Sequence, residues 1–205
     1  MKKLFVLSLL VMFVFASTSV FAAERYALGM SNFALKVDYI NFTDDVFDNI
    51  DLDNGIYVGI EGYYAVMPNI YLGMEIGWAG AENDDKIGNL KVDIDVTYIP
   101  IELNLKYMAE IAPQLVLGVG GGISYNYFEI EANRIDRDAD DWVFGGQIFA
   151  ELNYKMDDFW FLGLETKYQW TEDLKFDDVG INGRDFDTKT SADNWRIGAR
   201  VGFVF

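Results

Sequence analysis

The chain has 205 residues, 51% hydrophobic and 16% aromatic, with 33 acidic against 16 basic side chains, a formal charge of −17, and neither cysteine nor histidine. Without Cys or His there is no thiolate metal site, no disulfide, no Cys–His or Ser–His nucleophile and no imidazole base. The acidic balance also excludes partners held through a phosphate backbone, nucleic acid above all.

Met1-Lys2-Lys3, the apolar run Leu4–Ala16, Ser17-Thr18-Ser19 and Val20-Phe21-Ala22 have the basic, apolar and small-residue regions of a secretory leader. Cleavage is expected after Ala22, because a cut after Ala23 would set bulky Phe21 three residues before the scissile bond. Residues 1–22 are then the leader and residues 23–205 one mature domain, whose charge becomes −19 once Lys2 and Lys3 are removed from the chain's −17. The apolar run is shorter than the ~20 residues a membrane-spanning helix needs. Every later apolar run is broken by a charge, Asn or Gly, so no transmembrane helix is predicted.

The mature chain alternates in twos, the period of strands. A first strand lies within Tyr26–Phe42, clearest at Phe33, Leu35, Val37 and Tyr39 against Lys36 and Asp38, with an uncertain start. Ile56, Val58, Ile60, Tyr64 and Val66 form the apolar phase of a second, and Ile70, Leu72, Met74, Ile76 and Trp78 that of a third. Met67-Pro68-Asn69 joins these two as a hairpin. A fourth strand spans about Lys91–Tyr107 and changes phase near Tyr98-Ile99-Pro100, where a bulge is expected to accommodate the proline. The fifth is Leu115–Ile130, reached through Ala109–Gln114. The sixth carries Trp142, Phe144, Ile148, Ala150, Leu152 and Tyr154, and the seventh Trp160, Leu162, Leu164, Tyr168 and Trp170, joined at Lys155–Asp158. The eighth alternates Trp195, Ile197, Ala199, Val201, Phe203 and Phe205 with Arg196, Gly198, Arg200 and Gly202.

Long connections at Thr43–Asn54, Gly80–Leu90, Glu131–Asp141 and Thr171–Asp193 alternate with short ones, so the expected fold is an all-β, eight-stranded antiparallel up-and-down barrel with long loops on one rim and short turns on the other. Bulky apolar residues occupy one phase, glycines and charges the other. The interior of such a barrel is only just wide enough for its side chains, so the bulky phase belongs outside. Trp78, Trp142, Trp170 and Trp195 fall at the long-loop end, and Trp160, Tyr64, Tyr107 and Tyr154 at the short-turn end. These are two aromatic belts suited to the two interfaces of a membrane. A soluble barrel with its apolar face inward is the alternative, and it explains neither the belts nor the chain's end.

On these residues the chain resembles the small eight-stranded outer-membrane barrels of the OmpA transmembrane-domain, OmpX and opacity-protein kind, with OmpW-like barrels as relatives. Its most specific element is the alternation Ile197, Ala199, Val201, Phe203 and Phe205, which looks like the signal read by the barrel-assembly machinery. The resemblance implies export to the outer membrane of a Gram-negative-type bacterium, lipid and lipopolysaccharide as surroundings, and a monomer. No peptidoglycan-binding domain is expected after Phe205.

The inward phase holds Lys36, Asp38, Glu61, Glu75, Glu102, Lys106, Glu151, Glu165, Lys167, Arg196 and Arg200. Near balance of acids and bases favours a paired network, because an isolated buried charge is costly. Arg196 and Arg200 are expected to pair with Glu61, Glu151 or Glu165. The same residues as the wall of a narrow ion path are the competing reading. Gly118, Gly120, Gly121 and Gly122 lack the helix and Lys-Ser/Thr of a nucleotide loop and read as a strand face. Asp136, Asp138 and Asp140 begin like a calcium loop, but Asp141 stands where Gly is required, and no metal or other cofactor is assigned. Barrel acyltransferases, deacylases and omptin-like proteases use histidine, which is lacking here, so no enzyme is expected. The expected function is envelope integrity, or surface binding and adhesion through four acidic loops with Phe47, Ile50, Ile135, Phe176 and Phe186 as contacts. A small-solute or ion channel is the alternative.

Overall fold

The period-two pattern becomes one sheet that closes on itself. A computed structural model describes residues 26–43, 54–87, 90–132, 137–174 and 190–205. Its strands are β1 (Ser31–Phe42), β2 (Asn54–Met67), β3 (Ile70–Ile87), β4 (Leu90–Ala112), β5 (Leu115–Ala132), β6 (Arg137–Lys155), β7 (Trp160–Thr171), β8 (Asp173–Leu174), β9 (Thr190–Ser191) and β10 (Asn194–Val204). The barrel order is β1-β10-β7-β6-β5-β4-β3-β2, all antiparallel, and β8–β9 form a separate two-stranded ribbon. Closure joins β1 to β10 from Asn32–Val204 to Phe42–Asn194, and the backbones of Ser31 and Phe205 exchange two further hydrogen bonds of 3.0 and 2.9 Å. Closing the sheet removes the free edges that an open one would offer for aggregation.

At the short-turn rim the connections are tight. Pro68-Asn69 and Pro113-Gln114 turn with Asn69 and Gln114 at φ of 65° and 68°. The β6–β7 turn is capped by Asp157, whose Oδ1 accepts the Phe159 and Trp160 N–H groups at 2.7 Å each. The β4–β5 turn is shorter than the expected Ala109–Gln114, because pairing continues to Ala112–Leu115 after a register shift between Glu110 and Ala112.

No bulge lies at Pro100. The β3–β4 register passes from Ile76–Ile101 to Ala79–Tyr98 with no offset, and Pro100 stays opposite Asn126 on β5. Val96, Tyr98, Glu102, Asn104 and Lys106 therefore all face inward. What looked like a phase change is a change in the lumen's chemistry, apolar near one rim and polar below it. The segments Gly80–Leu90 and Glu131–Asp141 are likewise largely strand, with β3–β4 pairing continuing to Ile87–Leu90 and β5–β6 reaching Ala132–Arg137. Their runs of Asp, Glu and Asn hid the alternation by which strands are recognised.

The outer surface carries the bulky apolar phase: Leu35, Val37, Ile60, Leu72, Met74, Leu103, Ile123, Ile148, Leu162 and Leu164 are all exposed. Trp78, Trp142, Trp170 and Trp195 stand on this face toward one rim and Trp160, Tyr64 and Tyr154 toward the other, with Tyr107 half-buried. A face of this kind in water would be an aggregation surface, and in hydrocarbon it is the favourable one.

Candidate functional site

The eleven charged side chains of the inward phase all lie in the lumen, none more than 4% exposed. Their arrangement follows a rule that sequence alone did not reveal. Like charges are neighbours in the ladder: Glu61 is in register with Glu75 and Glu75 with Glu102, Glu151 with Glu165, Lys36 with Arg200, and Arg196 with Lys167. Such neighbours repel, so each group must find its partner across the barrel.

They do so at short range. Arg196 Nη2 reaches Glu102 at 2.5 Å, with its Nη1 3.5 Å from Glu75. Lys167 donates to Glu75 and Glu102 at 2.5 and 2.6 Å. Arg200 Nη1 meets Glu151, Glu61 and Glu165 at 2.5, 2.8 and 3.2 Å. Lys106 donates to both oxygens of Glu151, at 3.0 and 3.1 Å. Lys36 is hydrogen-bonded to Glu165 and lies 3.2 Å from Glu75 and 3.3 Å from Asp38. Arg200 thus has the three partners expected of it. Arg196 has none of them and pairs with Glu75 and Glu102 instead, because those carboxylates stand opposite β10 across the lumen.

The lumen is not merely glycines and charges, as the sequence reading had it. Aromatic rings line it and cover the cations: the Tyr63 ring lies 3.5 Å from Lys106 Nζ, and the Tyr57 ring 4.4 Å from the Arg196 guanidinium carbon. Tyr57 also donates to Glu75 at 2.7 Å. Glycine makes the room, for a Cβ added at Gly77 would come 2.1 Å from the Tyr57 hydroxyl, and one at Gly120 2.5 Å from the Phe149 ring. Toward the long-loop rim an amide and hydroxyl layer follows. Tyr98 donates to Gln169 at 2.6 Å, Gln169 donates to Ser124 at 2.7 Å and Gln147 to Asn104 at 2.7 Å. Gln147, Asn153 and Gln169 share the inward phase with the charges in the sequence. Tyr57, Tyr63 and Tyr71 share it too, whereas Tyr98, Phe128, Phe149 and Phe161 gave no such signal, because a ring reads as apolar whichever face it occupies.

Two apolar caps close the lumen around these layers. At the long-loop side Ile40, Phe42, Tyr57, Ala79, Val96, Tyr98, Phe128, Val143 and Ala192 form one buried cluster. Phe42 meets Tyr98 and Phe128 edge-on at 5.6 and 6.0 Å. At the short-turn side Tyr63, Tyr71, Met108, Val116, Phe161 and Val204 form the other, joined by Ala27 and Leu28 from the segment before β1. That segment turns inward at Gly29 (φ 66°), which explains why its alternation is out of phase. Leu28 is fully buried; its N–H donates to the Tyr71 hydroxyl at 3.1 Å, and that hydroxyl donates to the Gly29 carbonyl at 2.8 Å.

Chemically, the network's carboxylates face cations and lie out of reach of a substrate. Among the described residues no group of three or more Asp or Glu is placed to hold a metal ion. Asp138 and Asp140 lie in register with Glu131 and Glu129 in the β5–β6 ladder, an extended course unlike the coiled start of an EF-hand loop. Phe47, Ile50, Ile135, Phe176 and Phe186, the expected contact residues, lie outside the described residues, as do the expected leader and cleavage site. Ile197, Ala199, Val201, Phe203 and Phe205 are all exposed along β10 and the chain's end, where Phe203 packs against Phe33, Trp160 and Phe205.

Comparison with known proteins agrees with this geometry. Among solved structures the chain is similar to Neisserial surface protein A (TM-score 0.61, 12% identity, 86% of this chain and 98% of that one). It is also similar to OprG of Pseudomonas aeruginosa (TM-score 0.54, 13% identity, 87% and 96%). A third likeness is to the attachment invasion locus protein Ail of Yersinia pestis, in complex with a heparin analogue (TM-score 0.52, 12% identity, 86% and 99%). At such identities the likeness is one of fold. A search of curated proteins finds no match. The model of the outer membrane protein beta-barrel domain matches residues 8–203, nearly the whole chain, and the protein belongs to that family of outer-membrane barrels.

Proposed function

We propose that this protein is a non-enzymatic, non-conducting outer-membrane scaffold whose work is done outside its lumen, in envelope integrity or in binding at the surface. One observation carries the reading: ten charges are tied to each other between strands, with Asp38 beside Lys36 of its own strand, and all are sandwiched between two apolar caps. An ion path needs water beside its charges and exits at both ends. Here rings of 0–5% exposure, among them Tyr98, Phe128, Phe149 and Phe161, stand where that water would be.

Binding then falls to the long-loop side, on a barrel whose immersion in outer-membrane lipid and lipopolysaccharide and whose insertion by the assembly machinery belong to the same proposal. Ail is in complex with a sulfated sugar. With 33 acids against 16 bases, the present chain suits a cationic or neutral partner rather than a polyanion.

The test is single-channel recording of the folded protein in planar bilayers, beside Glu61→Gln and Arg200→Gln. Silence, with heat-modifiable gel migration proving a folded barrel, is the expected result. Discrete steps whose size or selectivity changes with those substitutions would transfer the function to a channel. Exchanging the Thr171–Asp193 connection for a short turn should abolish surface binding and leave folding intact.

A further inference from the structure

Among the described residues the lumen buries six acids, Asp38, Glu61, Glu75, Glu102, Glu151 and Glu165, against five bases, Lys36, Lys106, Lys167, Arg196 and Arg200. One negative charge is therefore in excess among them in a closed, poorly polarisable interior, where an uncompensated charge is strongly disfavoured. Two carboxylates, Asp38 and Glu61, have both oxygens buried and accept no hydrogen bond. Glu61 nonetheless lies 2.8 Å from Arg200 Nη1. Asp38 has only Lys36, at 3.3 Å, and that ammonium is already engaged by Glu165 and Glu75.

The surroundings of Asp38 give it little else. Tyr57 of β2 and Gly198 of β10 are its register neighbours, and its Oδ1 sits so close over β10 that a Cβ at Gly198 would come within 2.2 Å. Of the charged groups facing it, Lys36 of its own strand and Arg196 of β10 attract its charge, while Glu75 of β3 and Glu165 of β7 repel it. Both cations hydrogen-bond to other carboxylates.

We propose that the folded barrel binds one proton in its lumen and that Asp38 carries it. The step is simple in atoms and charge: the carboxylate takes a proton from solvent as the lumen closes, one O–H bond forms, and five acids remain against five bases. The proposal rests on the closed-lumen reading given above. Current through the parent protein would fail that reading, whereas a silent bilayer without the signature below would fail the proton alone.

The signature is the C=O stretch of a neutral carboxyl group in the infrared spectrum of the whole protein in lipid vesicles at neutral pH, shifted on deuteration. It should be present in the parent, absent from Asp38→Asn and retained in Glu61→Gln. No such band in the parent, or an undiminished band in Asp38→Asn, overturns the assignment. Stability gives a second readout. A proton held by the folded state and not by the unfolded chain contributes stability that is lost as pH rises. Asp38→Asn should therefore match the parent below about pH 4, where the unfolded chain's Asp38 is protonated too, and exceed it increasingly as pH rises from there through neutral. A variant less stable than the parent across that range overturns the proposal, as does parent stability that rises with sodium over choline at equal ionic strength. Should Asp38→Asn not fold, the parent's band and its loss on alkaline titration, compared with Asp38→Glu, decide the matter alone.

Discussion

Arg196 on β10 and Glu102 on β4 meet at 2.5 Å although their strands stand on opposite sides of the barrel. The same is true of Lys167 on β7 and Glu75 on β3, at 2.5 Å. Apart from Arg200–Glu165, which joins the adjacent β10 and β7, every inter-strand ion pair among the described lumen residues skips at least one strand, so these pairs tie together parts of the wall that share no backbone hydrogen bond. In a sheet of fixed circumference these are cross-braces. They act on the barrel's section, where the ladder itself offers no restraint.

Removing one end of a brace takes its shortest partner from the other buried charge, leaving Glu102 with Lys167 or Arg196 with Glu75, at a cost of up to about 3–5 kcal/mol. Arg196→Met and Glu102→Leu should each destabilise by that order. The double variant should lose clearly less than the sum, because the contact between the two groups is then lost once and not counted twice. Urea unfolding in lipid vesicles measures all three. Additive losses would mean that the two groups do not form a unit.

Ionic strength provides a contrast. Salt screens exposed pairs over about 8–10 Å at physiological concentration, but not pairs sealed from solvent. Raising salt from low to molar should leave the midpoint of unfolding almost unchanged. A steady fall with salt would place the network in contact with water, and with it the closed-lumen reading would go.

The architecture was legible because strand alternation survives wherever one face is apolar and the other is not. Leu35 to Tyr39 and Trp195 to Phe205 announce their faces residue by residue. All eleven lumen charges could be assigned by phase for the same reason. Partners were not legible: pairing Arg196 with Glu102 requires knowing which strands face each other across the closed sheet, and that depends on stagger, which no local pattern encodes. Tyr57 falls in the phase of Glu61 and could be placed with it, whereas Phe128, Phe149 and Phe161 escaped because their rings satisfy either face, and Pro100 misled because Tyr98 was counted as an outer residue.

Tyr57 shows how tightly the inner wall is fitted. Its ring lies on Gly77, so Gly77→Ala forces a methyl group against a ring fixed by Glu75 and Arg196. Overpacking of this kind costs about 1–3 kcal/mol. In a Tyr57→Leu background the same change should cost far less, since the obstructing ring is gone. Thermal unfolding followed by gel migration compares the four proteins, and an equal penalty in both backgrounds would locate the strain in the backbone instead.

The two caps predict a redundancy. Leu28→Ala removes the most deeply buried side chain of the segment before β1, and Tyr71→Phe removes the hydroxyl that holds this segment through Leu28 and Gly29. Leu28→Ala should destabilise by about 2–5 kcal/mol, Tyr71→Phe by about 0.5–1.5 kcal/mol. Neither should open a current, because Phe42, Tyr98 and Phe128 still close the opposite mouth and the ion pairs between remain complete. Conductance should appear, if at all, only when Leu28→Ala is combined with Phe128→Ala and a broken brace such as Arg196→Met. Steps from Leu28→Ala alone in a planar bilayer would show that the segment before β1 is the barrel's one barrier, and would return the lumen to the list of working parts.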